Sequence, residues 1–191
     1  MSFEIESGET MTKIAVIGAG TMGRGIAYTA ALAGFDVGLH DVKKRALSEA
    51  KAYIEGEMRR SVERGYVLKE QLAEALPRVQ YTGKMDEATA RADLAIEAVL
   101  EQMELKLEVF RQLDEMCPPG AVLATNTSTM SPTEMAAATK RPQQVLAMHF
   151  FNPVHKMKLI EIVRGLETSD ETVAIAKDIA RKLGKQTVEV N

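Results

Sequence analysis

The chain has 191 residues, enough for one substantial domain and short of two complete ones. Its formal net charge is −3, from 24 basic and 27 acidic residues, which gives no electrostatic basis for nucleic acid or an anionic membrane as its main partner. No apolar run approaches the ~18 residues of a membrane span, and the polar, acidic start MSFEIESGET lacks the basic-then-apolar pattern of a secretory signal.

In chain order, residues 1–11 read as a flexible leader, and residues 12–191 as one domain. KIAVIG (Lys13–Gly18) is a short apolar run ending in glycine, the pattern of a strand buried on both faces. Met22, Ile26, Ala30 and Ala33 recur at helical spacing, and Gly34 supplies a stop. FDVGLHD (Phe35–Asp41) is the next strand and ends on an acid. A long amphipathic helix follows, with Ala46, Ala50, Tyr53, Ile54, Met58 and Val62 on one stripe. A shorter helical stretch leads to VQYTG, a third strand.

The alternation continues through DLAIEAV (Asp93–Val99), a fourth strand. Leu105, Val109, Leu113 and Met116 then mark a helix that Pro118-Pro119-Gly120 stops. The single cysteine, Cys117, excludes an internal disulfide and fits a reducing cytoplasm, where the chain is expected to work. Its place before the proline pair favours an inert thiol over a nucleophile. AVLATN (Ala121–Asn126) is a strand, and Ser131-Pro132-Thr133-Glu134 combines an N-cap, an N1 proline and a capping-box acid. QVLAMHF and KLIEIV are strands, and Thr168 to Leu183 is a helix closed by Gly184. Strands alternating with helices imply a doubly wound, mostly parallel α/β sheet.

Gly18-Ala19-Gly20-Thr21-Met22-Gly23 fits G-x-G-x-x-G between a strand and a helix, and Asp41 follows at the end of the next strand. The first glycine permits the tight turn, the second a close approach to a pyrophosphate, and the third close helix–strand packing. The helix N-terminus offers free N–H groups to the phosphates. This is a Rossmann-type arrangement, against the plainer alternative of a glycine-rich turn without a ligand. Asp41 would accept bonds from both adenine-ribose hydroxyls and repel a 2′-phosphate, which favours NAD, although Lys43, Lys44 and Arg45 follow it. No metal is expected.

Ligands of open α/β sheets lie beyond the carboxyl ends of the strands. Glu97, Glu101, Asn126 to Thr129, His149 and Asn152 fall there. Transfer of a hydride from an alcohol needs a base for the hydroxyl proton, and neutral imidazole suits that near pH 7. Glu161, twelve residues after His149, can pair with the imidazolium if the two strands are neighbours. The alternatives are a core histidine bonded to a carbonyl and a strand acid facing solvent. His40 is expected to point away from the cofactor, and His155 to lie in an exposed polar turn.

IAVIGAGTMGRGIA, IEAVLEQMELK, ATNTSTM, HFFNPVHKMKLIEIV and LGKQTVEV, in this order, resemble the NAD-binding domain of L-3-hydroxyacyl-CoA dehydrogenases, including 3-hydroxybutyryl-CoA dehydrogenases. The resemblance implies NAD-dependent oxidation of (3S)-3-hydroxyacyl-CoA to 3-oxoacyl-CoA, in fatty-acid or butanoate metabolism. It implies His149 as general base oriented by Glu161, and Ser128 and Asn152 beside the substrate oxygen and the nicotinamide. Glu101 and Lys106 match positions near the nicotinamide ribose. Arg64 falls near a basic position that touches coenzyme A, or is an ordinary solvated cation. Such enzymes continue into a helical domain that closes the acyl-CoA cleft and supplies most of a homodimer interface, so this chain is expected to lack that domain. Related hydroxyacid or sugar-acid dehydrogenases acting without CoA, and a non-catalytic NAD-binding module, are the alternatives.

Overall fold

The computed structural model describes residues 13–190, and the leader expected over residues 1–11 lies outside them. Eight strands form one sheet: β1 (Lys13–Ile17), β2 (Asp36–His40), β3 (Val79–Thr82), β4 (Leu94–Glu97), β5 (Val122–Thr125), β6 (Val145–Phe150), β7 (Leu159–Arg164) and β8 (Gln186–Val190). Their order is β3-β2-β1-β4-β5-β6-β7-β8, so the chain moves outward from β1 in one direction and then in the other. The reversal opens a crevice at the carboxyl ends of β1 and β4.

Helices cover both faces. On one side lie α1 (Thr21–Leu32), α2 (Lys44–Glu63) and α7 (Asp170–Lys182), packed on Ile14, Val16, Val37, Leu39, Ile96 and Met148. On the other, α5 (Met103–Met116) and α6 (Pro132–Ala136) pack on Ala15, Ile17, Ala95 and Leu123. The short α3 (Lys69–Ala75) follows α2, and α4 (Met85–Thr89) contacts β2 and β3. Burial on both faces explains why KIAVI and VLAT carry no polar alternation.

All strand pairs are parallel except β6 with β7. Residues 151–158 join those two, too short a link for the dozen or more residues that a parallel crossover needs. β8, which the sequence reading passes over as a strand, pairs with β7 in parallel after α7. Its QTVEV alternates half-buried with exposed residues, as an edge strand covered on one face should.

Two local expectations change. The buried stripe of α5 is Lys106, Val109, Phe110 and Leu113, while Leu105 and Met116 are exposed. The stripe is turned by about one position and places a lysine among the apolar residues. The start of α6 has its N1 proline but no side-chain cap from Ser131. The capping hydroxyl appears instead at α7, where Ser169 accepts from the Thr172 N–H at 3.1 Å.

Among the described residues no helix is long and apolar enough to cross a membrane. Cys117 is buried at the end of α5, and burial pushes its thiol up to about 12. It is therefore a protonated, unreactive thiol at neutral pH. A thiol reagent such as Ellman's should label it only in denaturant, and rapid labelling of the native chain would contradict that burial. Phe110 has no exposed surface at the centre of the α5–sheet packing. Phe110→Ala should therefore cost about 3–5 kcal/mol in urea unfolding.

Candidate active site

The glycine loop shows its packing constraints directly. Gly18 has φ +106°, and a Cβ there would meet the Ala98 carbonyl oxygen at 2.6 Å. A Cβ on Gly23 would lie 1.7 Å from the Gly18 carbonyl oxygen, so α1 and its loop pack without room for one methyl group. A Cβ on Gly20 meets nothing within 4 Å, because this residue faces the crevice. One glycine shapes the turn, one leaves an approach open, and one lets helix and strand close. The free N–H groups at the start of α1 point into the same space.

Asp41 continues this cradle from the end of β2. Its Oδ2 accepts from the Ala19 N–H at 2.9 Å and its Oδ1 from the Lys43 N–H at 2.8 Å. Each oxygen keeps acceptor capacity for a diol. His40, expected to point away, contributes to the crevice wall, although its Nδ1 is 3.2 Å from the Thr82 carbonyl. Burial pushes its imidazole below the usual range. His155, expected in an exposed turn, is half-buried, edge-on to Tyr28 with ring centroids 5.6 Å apart.

The crevice is about 890 Å³ and runs from the glycine loop to the end of β6. Of the residues expected at the site, Gly18, Gly20, Thr21, Met22, Asp41, Glu101, Ser128, His149 and Asn152 line it. Ala19 and Gly23 lie beneath the loop, buried. Glu161 stands behind His149. Arg64 is exposed at the C-cap of α2 and forms no part of the wall. Lys106, expected beside the ribose, has no exposed surface and is turned inward.

At the far end, antiparallel register sets His149 directly opposite Glu161. The His149 Nδ1 is 2.8 Å from Glu161 Oε2. A carboxylate can only accept, so Nδ1 carries the hydrogen and the neutral ring keeps its lone pair on Nε2. The His149 ring packs on Phe151 with centroids 4.5 Å apart. The pleat puts Met148 and Phe150 into the core on the α7 side and leaves His149 on the other face. Asn126 Oδ1 accepts the Phe150 N–H at 2.9 Å, tying the end of β5 to the end of β6.

Between these halves lies a buried polar cluster. The Glu97 carboxylate, without solvent contact, accepts from Lys106 Nζ at 2.8 and 2.9 Å, from Thr125 Oγ1 at 2.6 Å and from the Val99 N–H at 2.7 Å. Lys106 Nζ also lies 3.1 Å from Glu101 Oε2. Thr127 Oγ1 donates to Glu101 and accepts the Met130 N–H at 3.1 Å, across the loop bearing Ser128. Burial pushes the Glu101 carboxyl up, but hydrogen bonds from Thr127 and Lys106 and the lysine charge outweigh it and hold it below the usual carboxylate range. Sequence reasoning assigned no role to Thr125 and placed Thr127 only within the stretch 126–129 beyond β5. The available signal was a lysine at Lys106 on the stripe of Val109, Phe110 and Leu113, which demands a buried acid.

Residues 13–191 match the family described as 3-hydroxyacyl-CoA dehydrogenase, NAD binding domain. The chain belongs to this family. NAD is the cofactor of the domain, and the open Gly20 edge, the α1 N-terminus and the Asp41 carboxylate fit its pyrophosphate and ribose. A probable 3-hydroxybutyryl-CoA dehydrogenase of Bacillus subtilis (strain 168) is 45% identical over 179 residues, covering 94% of this chain and 62% of the relative. A 3-hydroxybutyryl-CoA dehydrogenase of Bradyrhizobium diazoefficiens is 44% identical, covering 91% of this chain and 59% of its own length. The crystal structure of a 3-hydroxybutyryl-CoA dehydrogenase from Escherichia coli K12 superposes with a TM-score of 0.91 at 41% identity, over 95% of this chain and 38% of that one. The chain thus spans about three-fifths of the curated relatives it matches.

For this NAD-binding domain the glycine geometry separates two variants. Gly23→Ala should destabilise the fold by about 3 kcal/mol, the upper end of the usual cost of overpacking, because the new methyl meets backbone on the packed side. Gly20→Ala should leave the unfolding midpoint nearly unchanged while weakening NADH binding, read by NADH fluorescence. Equal stability losses in both would contradict the division of labour.

Proposed function

We propose that this chain binds NAD and supplies the acid–base residues of a (3S)-3-hydroxyacyl-CoA dehydrogenase, converting the 3-hydroxy group to a 3-oxo group. The observation that supports this most is the His149–Glu161 pair, at 2.8 Å, on the wall of the crevice that begins at the glycine loop. NAD, when bound, supplies the hydride acceptor.

The neutral His149 ring presents Nε2 to the substrate hydroxyl and takes its proton, and Glu161 offsets the positive charge that then develops on the ring. The ring cannot rotate freely, because Nδ1–H is held by Glu161 and one face lies on Phe151. Ser128 and Asn152 line the wall near His149 and offer a hydroxyl and an amide to the 3-oxygen. Glu101, held ionised, accepts from the ribose hydroxyls on the nicotinamide side, and Asp41 does so on the adenine side. The names of the relatives support coenzyme A as the substrate's carrier. A basic contact from Arg64 to that carrier, the 12–191 domain boundary and pairing of full-length chains as a homodimer belong to the same proposal.

The test is loss of absorbance at 340 nm with NADH and acetoacetyl-CoA. It is run on this chain, alone and joined to the C-terminal region of the Bacillus subtilis relative. His149→Ala should lower kcat by about 10²–10⁴-fold with NADH affinity kept. Glu161→Gln, which keeps an acceptor for Nδ1–H but not the charge, should lower kcat by about 10²-fold. Unchanged turnover in His149→Ala would overturn the assignment of the base.

A further inference from the structure

The link between β6 and β7, residues 151–158, is mostly exposed, yet it is fastened from two sides by groups outside the acid–base and cofactor machinery. Its one buried side chain is Val154, which enters the core against α1. The seat is Gly25, where a Cβ would meet Val154 Cγ2 at 2.9 Å and Val154 Cβ at 3.1 Å. Gly25 lies outside the G-x-G-x-x-G spacing, so the dinucleotide loop does not account for it. The approach of the link does. The neighbouring His155 ring stands edge-on to Tyr28, three residues farther along α1. From the other side, Lys185 Nζ donates to the Val154 carbonyl and, at 2.7 Å, to the Met157 carbonyl. Burial draws this ammonium below the usual lysine range, with no carboxylate offsetting the shift. A lysine stem can carry its charge out to water, so an ammonium kept on two carbonyls is held for what it bonds. Within the link the Pro153 carbonyl accepts the Lys156 N–H at 2.9 Å and the Met157 N–H at 3.0 Å, which closes residues 153–157 into one turn.

We propose that Gly25 and Lys185 are positioning residues that hold this turn between the flank of α1 and the start of β8, and so set where Asn152 places its amide in the crevice. This rests on the reading of Asn152 as a contact of the substrate's 3-oxygen. Asn152 lines the crevice and directly precedes the closed turn. On its other side the Phe150 N–H is held by Asn126, so the backbone around Asn152 is fixed at both ends. One helix thus presents its N-terminus to the dinucleotide and its flank to the turn. A single rigid body sets the distance between the cofactor's seat and the Asn152 amide. A methyl group at position 25 must push Val154 away, and loss of the ammonium frees the carbonyls on the opposite side.

Gly25→Ala improves helix propensity in α1, and Lys185→Met removes a partly desolvated charge, so both variants should fold. In the assay with NADH and acetoacetyl-CoA each should lower kcat about tenfold, within what misplacement by less than 1 Å can cost, with KM for NADH unchanged. Each loss should vanish in an Asn152→Ala background, because a residue that acts through Asn152 has nothing left to position there. A merely structural role gives the same fold-loss in both backgrounds and overturns the proposal. Adding Val154→Ala to Gly25→Ala removes the clash and should restore most of the turnover. The side-chain amide signals of Asn152 in the proton–nitrogen NMR spectrum of this chain give a readout that needs no turnover. They should shift in both single variants and move back when Val154→Ala is added to Gly25→Ala. Signals that stay in place overturn the proposal. If Asn152→Ala turns over like the unaltered chain, the reading of Asn152 fails and the proposal with it. If Asn152→Ala is slow and the other losses are unchanged in its background, that reading stands and only the positioning role fails.

Discussion

A carboxylate and an ammonium with no contact to water, Glu97 and Lys106, lie at the carboxyl end of β4, and the crevice is built outward from them. The place is dictated by topology. β1 and β4 are the adjacent strands from which the chain winds in opposite directions, so no crossover helix covers the gap above them. A polar floor there needs every lone pair and proton matched. Two lysine contacts, a threonine hydroxyl and a backbone N–H meet that demand for Glu97. The floor then aligns Glu101 on one side and, through Thr125 and the Asn126 N–H bonded to the Glu97 carbonyl at 2.8 Å, the end of β5 on the other.

The two functional ends of the crevice are built by different rules. The cofactor end relies on closeness: glycines at 18 and 23 bring loop, helix and strand within distances that no side chain permits. The end that carries His149 and Glu161 relies on alternation. Antiparallel pairing with a period of two puts His149 and Glu161 on the same face, while Ile160 and Ile162 enter the core. An ionisable pair is tolerated there because the strand's other face supplies the hydrophobic anchorage.

Much of this was readable in the residues, for identifiable reasons. The glycine spacing, Asp41 and the buried strands express local demands of a βαβ unit, and those demands leave signatures within a few residues. The pairing of His149 with Glu161 was readable as a condition, that the two strands be neighbours, and the short link over residues 151–158 meets it. What was not readable depends on rotation and on distant partners. The α5 stripe was misplaced by about one position because Leu105 and Met116 fit helical spacing as well as Lys106 and Phe110 do. Lys106 was placed near the nicotinamide ribose only through the resemblance, and nothing in its own helix identified the buried acid it pairs with. Its partner lies nine positions back, on a strand, where only the fold brings it near. The inward turn of His155 onto Tyr28 likewise arises from two segments more than a hundred residues apart.

The hairpin of β6 and β7 also bears on the order in which the site comes into being. His149 and Glu161 are 12 residues apart in sequence, whereas the β1–β4 pairing that floors the crevice joins Ile14 to Leu94 across 80. On loop-closure grounds the shorter segment has the advantage by about 1.7 kcal/mol. Contacts of low sequence separation form early as a chain folds. The His149–Glu161 pair can therefore be in register while the two halves of the dinucleotide crevice are still apart, so that closing the central sheet adds the cofactor's seat to a hydrogen-bonded pair already formed.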